Sequence, residues 1–177
     1  AVELEPTQPM YQMVLGYTLY ESAIAQAKAP DPALVHLVHA ATLEPKLWRA
    51  HYYIGRIYRD RGDARWAAES FDIAVRSSPP DPGPYIALAE LYRRWDYPDE
   101  ALAVALLGTK HAREPSDVWY VVGMAHEDKG DHAKAIEAFT KALETRRDNP
   151  KVYFQRGQAY FRKRDRRLHR VFETDRS

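Results

Sequence analysis

His36 and His39 stand one helical turn apart, a spacing that lets two imidazoles share a metal ion from one helix face. No third ligand follows at a useful interval. Glu44 lies beyond the end of the helix expected there, so two helix-face histidines without a ligand role are the simpler account. His126-Glu127 begins like the zinc-protease arrangement, in which a second histidine four residues on completes the pair, but Gly130 occupies that place. The chain carries neither a glycine-rich phosphate loop nor a nucleophile elbow, and its Ser, His and Asp residues show no triad spacing. There is no cysteine, which removes disulfides and thiolate chemistry and leaves the redox compartment open. The expectation is a protein without catalytic, cofactor or metal site: no enzyme.

The densest charge cluster is Arg162, Lys163, Arg164, Arg166, Arg167 and Arg170. Such a run could touch nucleic acid or anionic lipid. It has no interleaved aromatics on which bases could stack, so solvation of a terminal helix is the simpler reading. Elsewhere the charges nearly cancel, 26 Lys and Arg against 25 Asp and Glu over the chain, and no global field points to nucleic acid or membrane. No stretch approaches the roughly 18 consecutive apolar residues of a membrane span. The chain opens on Ala1 without a charged-then-apolar leader. The expectation is a trimmed or processed product, with cytoplasm and periplasm both open. An excess of Arg over Lys and abundant Ala hint at a GC-rich bacterial genome.

What positions these residues is a repeat. Gly55, Ala89, Gly123 and Gly157 recur every 34 residues, and so do Ala33, Ala67, Ala101 and Ala135, and Tyr58, Tyr92, His126 and Tyr160. Phe71 and Phe139 lie two intervals apart with Ala105 between them. Within one period Ile54, Gly55 and Tyr58 share a helical face with His51. Gly62-Asp63 breaks that helix, with Asp63 placed to cap the next. Ala67, Phe71 and Ala74 form a second stripe, and Ser77-Ser78-Pro79-Pro80 ends it. The pattern predicts two antiparallel helices per period. It places Gly55 and Ala67 where helix backbones approach and Tyr58 and Phe71 in the wider gaps. In the third repeat Ala105 and Gly108 thin the packing, with Leu102 and Leu106 expected to compensate.

His51-x-x-Ile54-Gly55-x-x-Tyr58 … Ala67-x-x-x-Phe71 … Pro79 resembles the tetratricopeptide repeat. Tyr85-x-x-Leu88-Ala89-x-x-Tyr92 with Ala101, Trp119-x-x-Val122-Gly123-x-x-His126 with Ala135 and Phe139, and Tyr153-x-x-Arg156-Gly157-x-x-Tyr160 follow suit. A degenerate first repeat is marked by Ala33, Leu37, Ala40 and Pro45. The resemblance implies an all-α, right-handed superhelical solenoid of antiparallel helix pairs, four to five repeats with the last incomplete. Residues 1–9 read as a linker and 10–163 as the array, in repeats 10–45, 48–81, 82–115, 116–149 and 150–163. Residues 164–177 read as a basic cap or truncated helix, with Leu168, Val171 and Phe172 forming a stripe shifted one residue early.

Beside each packing face an adjacent stripe is left over: Tyr52, Arg56 and Arg59; Ile86, Glu90 and Arg93; Tyr120, Met124 and Glu127; Phe154, Gln158 and Phe161. In the first repeat it holds only Thr18, Ser22 and Ala25. None of Tyr52, Arg56, Tyr120 or Phe154 is expected to serve the repeat's own packing. The resemblance implies that this stripe lines a concave groove for peptides or partner helices. Its Tyr, Arg, Phe and Met are residue types enriched at binding hot spots. With Arg49 and Arg94 nearby and Glu127-Asp128 opposite, an acidic partner segment with an apolar anchor is expected. The carboxylate clamp of chaperone-binding relatives needs an Asn on the stripe, and the chain's single Asn, Asn149, is in a loop. The implied function is a non-enzymatic protein-binding scaffold, in a bacterial motility, pilus or secretion assembly by likeness of fold alone. An adaptor acting through the basic tail on nucleic acid or anionic membrane is the alternative; nothing speaks to oligomeric state.

Overall fold

Prolines start many of the helices, and left-handed residues stand at the ends of five of them: Ala27, Gly62, Ser78, Asp96 and Gly130. The structure is a computed structural model that describes the backbone of residues 7–174 and the side chains of residues 7–164. Among the described residues all regular structure is helical: α1 (Pro9–Ala25), α2 (Asp31–Leu43), α3 (Trp48–Arg61), α4 (Ala64–Arg76), α5 (Gly83–Arg94), α6 (Pro98–His111), α7 (Ser116–Asp128), α8 (His132–Thr145) and α9 (Pro150–Thr174). Proline stands at the first or second position of α1, α2, α5 and α6, where its missing N–H is no loss. Asp63 does occupy the N-cap position of α4, but its side chain makes no capping hydrogen bond, contrary to expectation.

The turns recur with the sequence. Gly62, Asp96 and Gly130, at successive 34-residue intervals, adopt φ of +87°, +64° and +71°. After each, the next N–H reaches five residues back: Asp63 to Tyr58, Tyr97 to Tyr92 and Asp131 to His126, at 2.8–2.9 Å. This is the Schellman closure, and it reverses the chain into the second helix. The next position in the series is Arg164, where a left-handed backbone would cost a side-chain-bearing residue about 1–2 kcal/mol. The backbone passes it without a turn, and α9 continues to Thr174. The stripe Leu168, Val171 and Phe172 lies outside the described side chains.

The chain forms two compact units, residues 1–79 and 80–177. In the N-terminal unit α1 pairs with α2 and α3 with α4, and α2 lies on α3. Its core joins Met13, Tyr20, Leu37, Ala40, Ile54 and Ile57. In the C-terminal unit α5 pairs with α6 and α7 with α8, while α6 lies on α7 and α8 on α9. Ala89, Ala101, Ala105, Val118 and Val122 make one core cluster there, and Ala135, Phe139, Leu143, Val152 and Ala159 another.

The small residues answer a different demand from the one expected. A Cβ built on Gly55 would lie 2.5 Å from the Phe71 ring, and one on Gly123 would lie 2.4 Å from the Phe139 ring. The glycine admits an aromatic ring rather than a neighbouring backbone. Where the aromatic is replaced by Ala105, the facing position is Ala89, and both are fully buried. With no ring to admit, the facing position carries a methyl group. Gly108 gives room to Tyr85, whose Cβ would come within 2.8 Å of an added methyl. Leu102 packs against the adjoining core, but Leu106 is exposed and does not compensate.

Candidate partner-binding surface

In the N-terminal unit the stripe residues are tied into the fold. The Tyr52 ring lies 5.9 Å from that of Phe71. The Arg56 guanidinium sits 4.9, 5.7 and 5.9 Å from the rings of Tyr20, Tyr53 and Tyr52, and 3.6 Å from Glu21. Tyr20 donates its hydroxyl proton to Asp60 at 2.6 Å, and Arg59 donates to the same carboxylate. Burial first, then that hydrogen bond, pushes the Tyr20 pKa up to about 12. Arg49 is exposed, stacked 4.6 Å over Trp48. The expectation that Tyr52 and Arg56 carry no packing duty is therefore corrected: both belong to an aromatic box. Tyr17, Tyr20, Tyr53 and Asp60 were not legible as its members, because they come from α1 and from other faces of α3.

In the C-terminal unit the stripe divides in two. Arg93 donates to both carboxylate oxygens of Asp128, at 2.5 and 3.1 Å. The Glu127 side chain is only 4% exposed and is held between His132 Nδ1, at 2.9 Å, and Arg162. Together with Arg56–Glu21, these pairs join first helices of successive repeats at a constant separation of 35 residues. Arg93 and Glu127 thus brace the stack. Tyr120 also serves packing, its ring 5.9 Å from Phe139, and Met124 leans on the same cluster. Burial raises the Tyr120 pKa, with Arg93 acting in the opposite direction.

The rest of the stripe is accessible. Ile86, Glu90 and Tyr120 open onto a pocket of about 500 Å³, whose remaining wall includes Val121, Arg146 and Lys151. Arg146 is paired with Asp117 at 2.6 Å. The pocket has an apolar floor and charged edges, which suits a side-chain anchor flanked by polar backbone. Arg146 and Lys151 escaped the sequence reading because they lie around the α8–α9 connection, outside the helical stripe. Further along, Phe154 and Phe161 are 63% and 71% exposed, and Gln158 is half-buried between them.

The chemistry-bearing candidates take ordinary roles. His36 Nδ1 lies 2.7 Å from Gln12 Oε1, and His39 is exposed. His126 is half-buried, its Nδ1 without a hydrogen-bond partner, and burial lowers its pKa. Among the described residues no group of three or more His, Asp or Glu is placed to hold a metal, and no helix is long and apolar enough to cross a membrane. In the basic run Arg162 is engaged by Glu127, Lys163 and Arg164 are exposed, and Arg166, Arg167 and Arg170 lie outside the described side chains.

Comparisons with known proteins agree on the fold. Superkiller complex protein 3 of Mus musculus is 25% identical over 163 residues, which is 90% of this chain; the chain spans about one-tenth of the length of the curated relatives it matches. Among solved structures, YrrB, described as a TPR protein with an unusual peptide-binding site, is similar at a TM-score of 0.70 and 18% identity, covering 90% of this chain and 80% of its own. PilF of Pseudomonas aeruginosa is similar at a TM-score of 0.74 and 18% identity, covering 89% and 71%. A tetratricopeptide repeat profile matches residues 18–82 and a TPR repeat profile residues 123–163, together more than half of the chain. Such repeats are in general non-catalytic scaffolds for protein–protein interaction, and the chain belongs to the tetratricopeptide repeat family.

Proposed function

We propose that the C-terminal unit holds a peptide or helix of a partner protein at the pocket bounded by Ile86, Glu90 and Tyr120. The reading rests on one observation: these three residues of a single sequence stripe, on α5 and α7, line one accessible pocket of about 500 Å³. Ile86, Tyr120 and Val121 offer an apolar partner residue a desolvated seat, and Lys151 at the edge favours an acidic neighbour beside it. Phe154 and Phe161 extend the apolar surface along α9. The chain then works as a scaffold, in a larger bacterial assembly of the motility, pilus or secretion kind by likeness of fold.

The test avoids residues that brace the stack. Glu90→Arg with Lys151→Glu changes the pocket rim without touching an ion pair between helices. Partner capture from native lysate, quantified by mass spectrometry against the wild type, should fall by about 1–2 kcal/mol in affinity while the melting temperature stays unchanged. Arg166→Glu with Arg167→Glu should leave capture intact. If the tail variant loses the partner and the pocket variant keeps it, the basic-tail adaptor replaces the pocket scaffold, and the binding should then fall steeply with salt.

A further inference from the structure

Two glycines of this chain receive an aromatic ring from the helix that follows, and a third has none. On α3, His51, Gly55 and Tyr58 share a face, and Gly55 meets Phe71 of α4, which Ala67 and Ala74 flank in sequence. On α7, Trp119, Gly123 and His126 hold the equivalent positions; Gly123 meets Phe139 of α8, and Trp119 packs on the cluster that holds Ala135, Phe139 and Ala142. All six residues of the second helices are fully buried, and both rings sit within 2.6 Å of where a glycine Cβ would be. On α9 the same positions hold Tyr153, Gly157 and Tyr160. Gly157 has nothing within 4 Å of a built Cβ. Tyr153 and Tyr160 are 49% and 55% exposed. An open pocket of about 580 Å³ lies over Tyr153, Phe154, Gly157 and Phe161. Because the backbone makes no turn at Arg164, no α4-type helix folds back from within residues 150–174.

We infer that this face of α9 is a docking site for an amphipathic helix of another polypeptide, which seats an aromatic side chain on Gly157. The geometry of α4 and α8 specifies the guest: an aromatic residue with alanine four residues before it and three after. Charge specifies more. Residues 150–164 carry five basic and no acidic side chains. Arg162 is consumed by Glu127, and Arg156 is turned to Thr140 and the Tyr153 ring, leaving Lys163 and Arg164 to meet a guest with acidic flanks. A glycine in the middle of an exposed helix costs about 1 kcal/mol relative to alanine. In α3 and α7 the ring it admits offsets that cost, and in α9 the guest would do so. The site is distinct from the α5–α7 pocket: Tyr153, Gly157 and Tyr160 do not line it.

The probe is a labelled peptide of the α8 sequence, residues 131–145, titrated into the full chain. The wild type should bind it saturably. The same peptide with Phe139→Ala should bind about tenfold more weakly or worse, and the full chain with Gly157→Leu should lose the interaction. Leucine at 157 meets open space and is a better helix former, so the thermal transition of that variant should not fall. Since the chain has no cysteine, Gly157→Cys and a peptide carrying Phe139→Cys give a second measurement: a mixed disulfide should form at this position and not with a Tyr97→Cys control. Binding that is equal for wild type and Gly157→Leu overturns the inference, as does failure of the wild type to bind. Concentration-dependent self-association abolished by Gly157→Leu would overturn the assignment to another polypeptide and make a second copy the occupant. The α5–α7 proposal is tested by Glu90→Arg with Lys151→Glu, and neither the Gly157 variant nor the Phe139→Ala peptide bears on it.

Discussion

At Gly55 and Gly157 the same substitution should act in opposite directions. Gly55→Ala drives a methyl to 2.5 Å from the Phe71 ring, in a core with no free space, and should destabilise the chain by about 1–3 kcal/mol in a denaturant melt. Gly157→Ala meets nothing and should stabilise by about 0.5–1 kcal/mol through helix propensity alone. Tyr20 sets a different kind of test. Its folded-state pKa of about 12 lies above the ordinary 10.0, so its contribution is complete below pH 10 and is lost as pH rises toward 12. Thermal stability should therefore fall over that window, and Tyr20→Phe should flatten the fall while lowering the plateau, since Asp60 Oδ2 loses the tyrosine donor and keeps only Arg59 on its other oxygen. The interval of 34 residues was legible because packing dictates the residue types that carry it. The aromatic box around Arg56 was not, since Tyr17, Tyr20 and Tyr53 meet across helices in a register that side-chain type alone does not reveal.

Turns decide how many helices the chain makes. Gly62 has open space around it, so Gly62→Ala should cost about 1–2 kcal/mol purely through its left-handed backbone, a loss readable by chemical denaturation. Asp96→Gly, at the equivalent turn, should gain up to about 1 kcal/mol because aspartate tolerates that conformation less well than glycine. A pattern of Gly-Asp breakers located the first of these turns correctly and credited Asp63 with a cap it does not form; the closure is made by backbone groups, which composition does not display. The same limit explains the stripe. Its residues were readable as one face of each first helix, but which of them are spent on ion pairs depends on contacts 35 residues apart: Arg93 on Asp128 and Glu127 on Arg162. What is left accessible, Ile86, Glu90, Phe154 and Phe161, is a smaller set than the sequence alone suggested.

In a helical array each hairpin is held mainly by its neighbours, so damage should travel. Val152 and Ala159 of α9 are buried in the cluster built by Ala135, Phe139 and Ala142 of α8. Gly123→Leu, which displaces the Phe139 ring, should raise amide hydrogen exchange in residues 150–160 as well as in α7 and α8; unchanged exchange beyond residue 150 would sever that coupling. The pairing of a glycine with the ring it admits also bears on the molecule's history. To turn a Gly55–Phe71 hairpin into an Ala89–Ala105 hairpin, a lineage must change two residues. Taking glycine first leaves a clash, and taking phenylalanine first leaves a void costing about 3–5 kcal/mol. Either intermediate loses a large fraction of the margin by which most domains stay folded. Ring-bearing and ring-free hairpins should therefore drift as separate lineages, exchanging by duplication of whole hairpins rather than by single mutations.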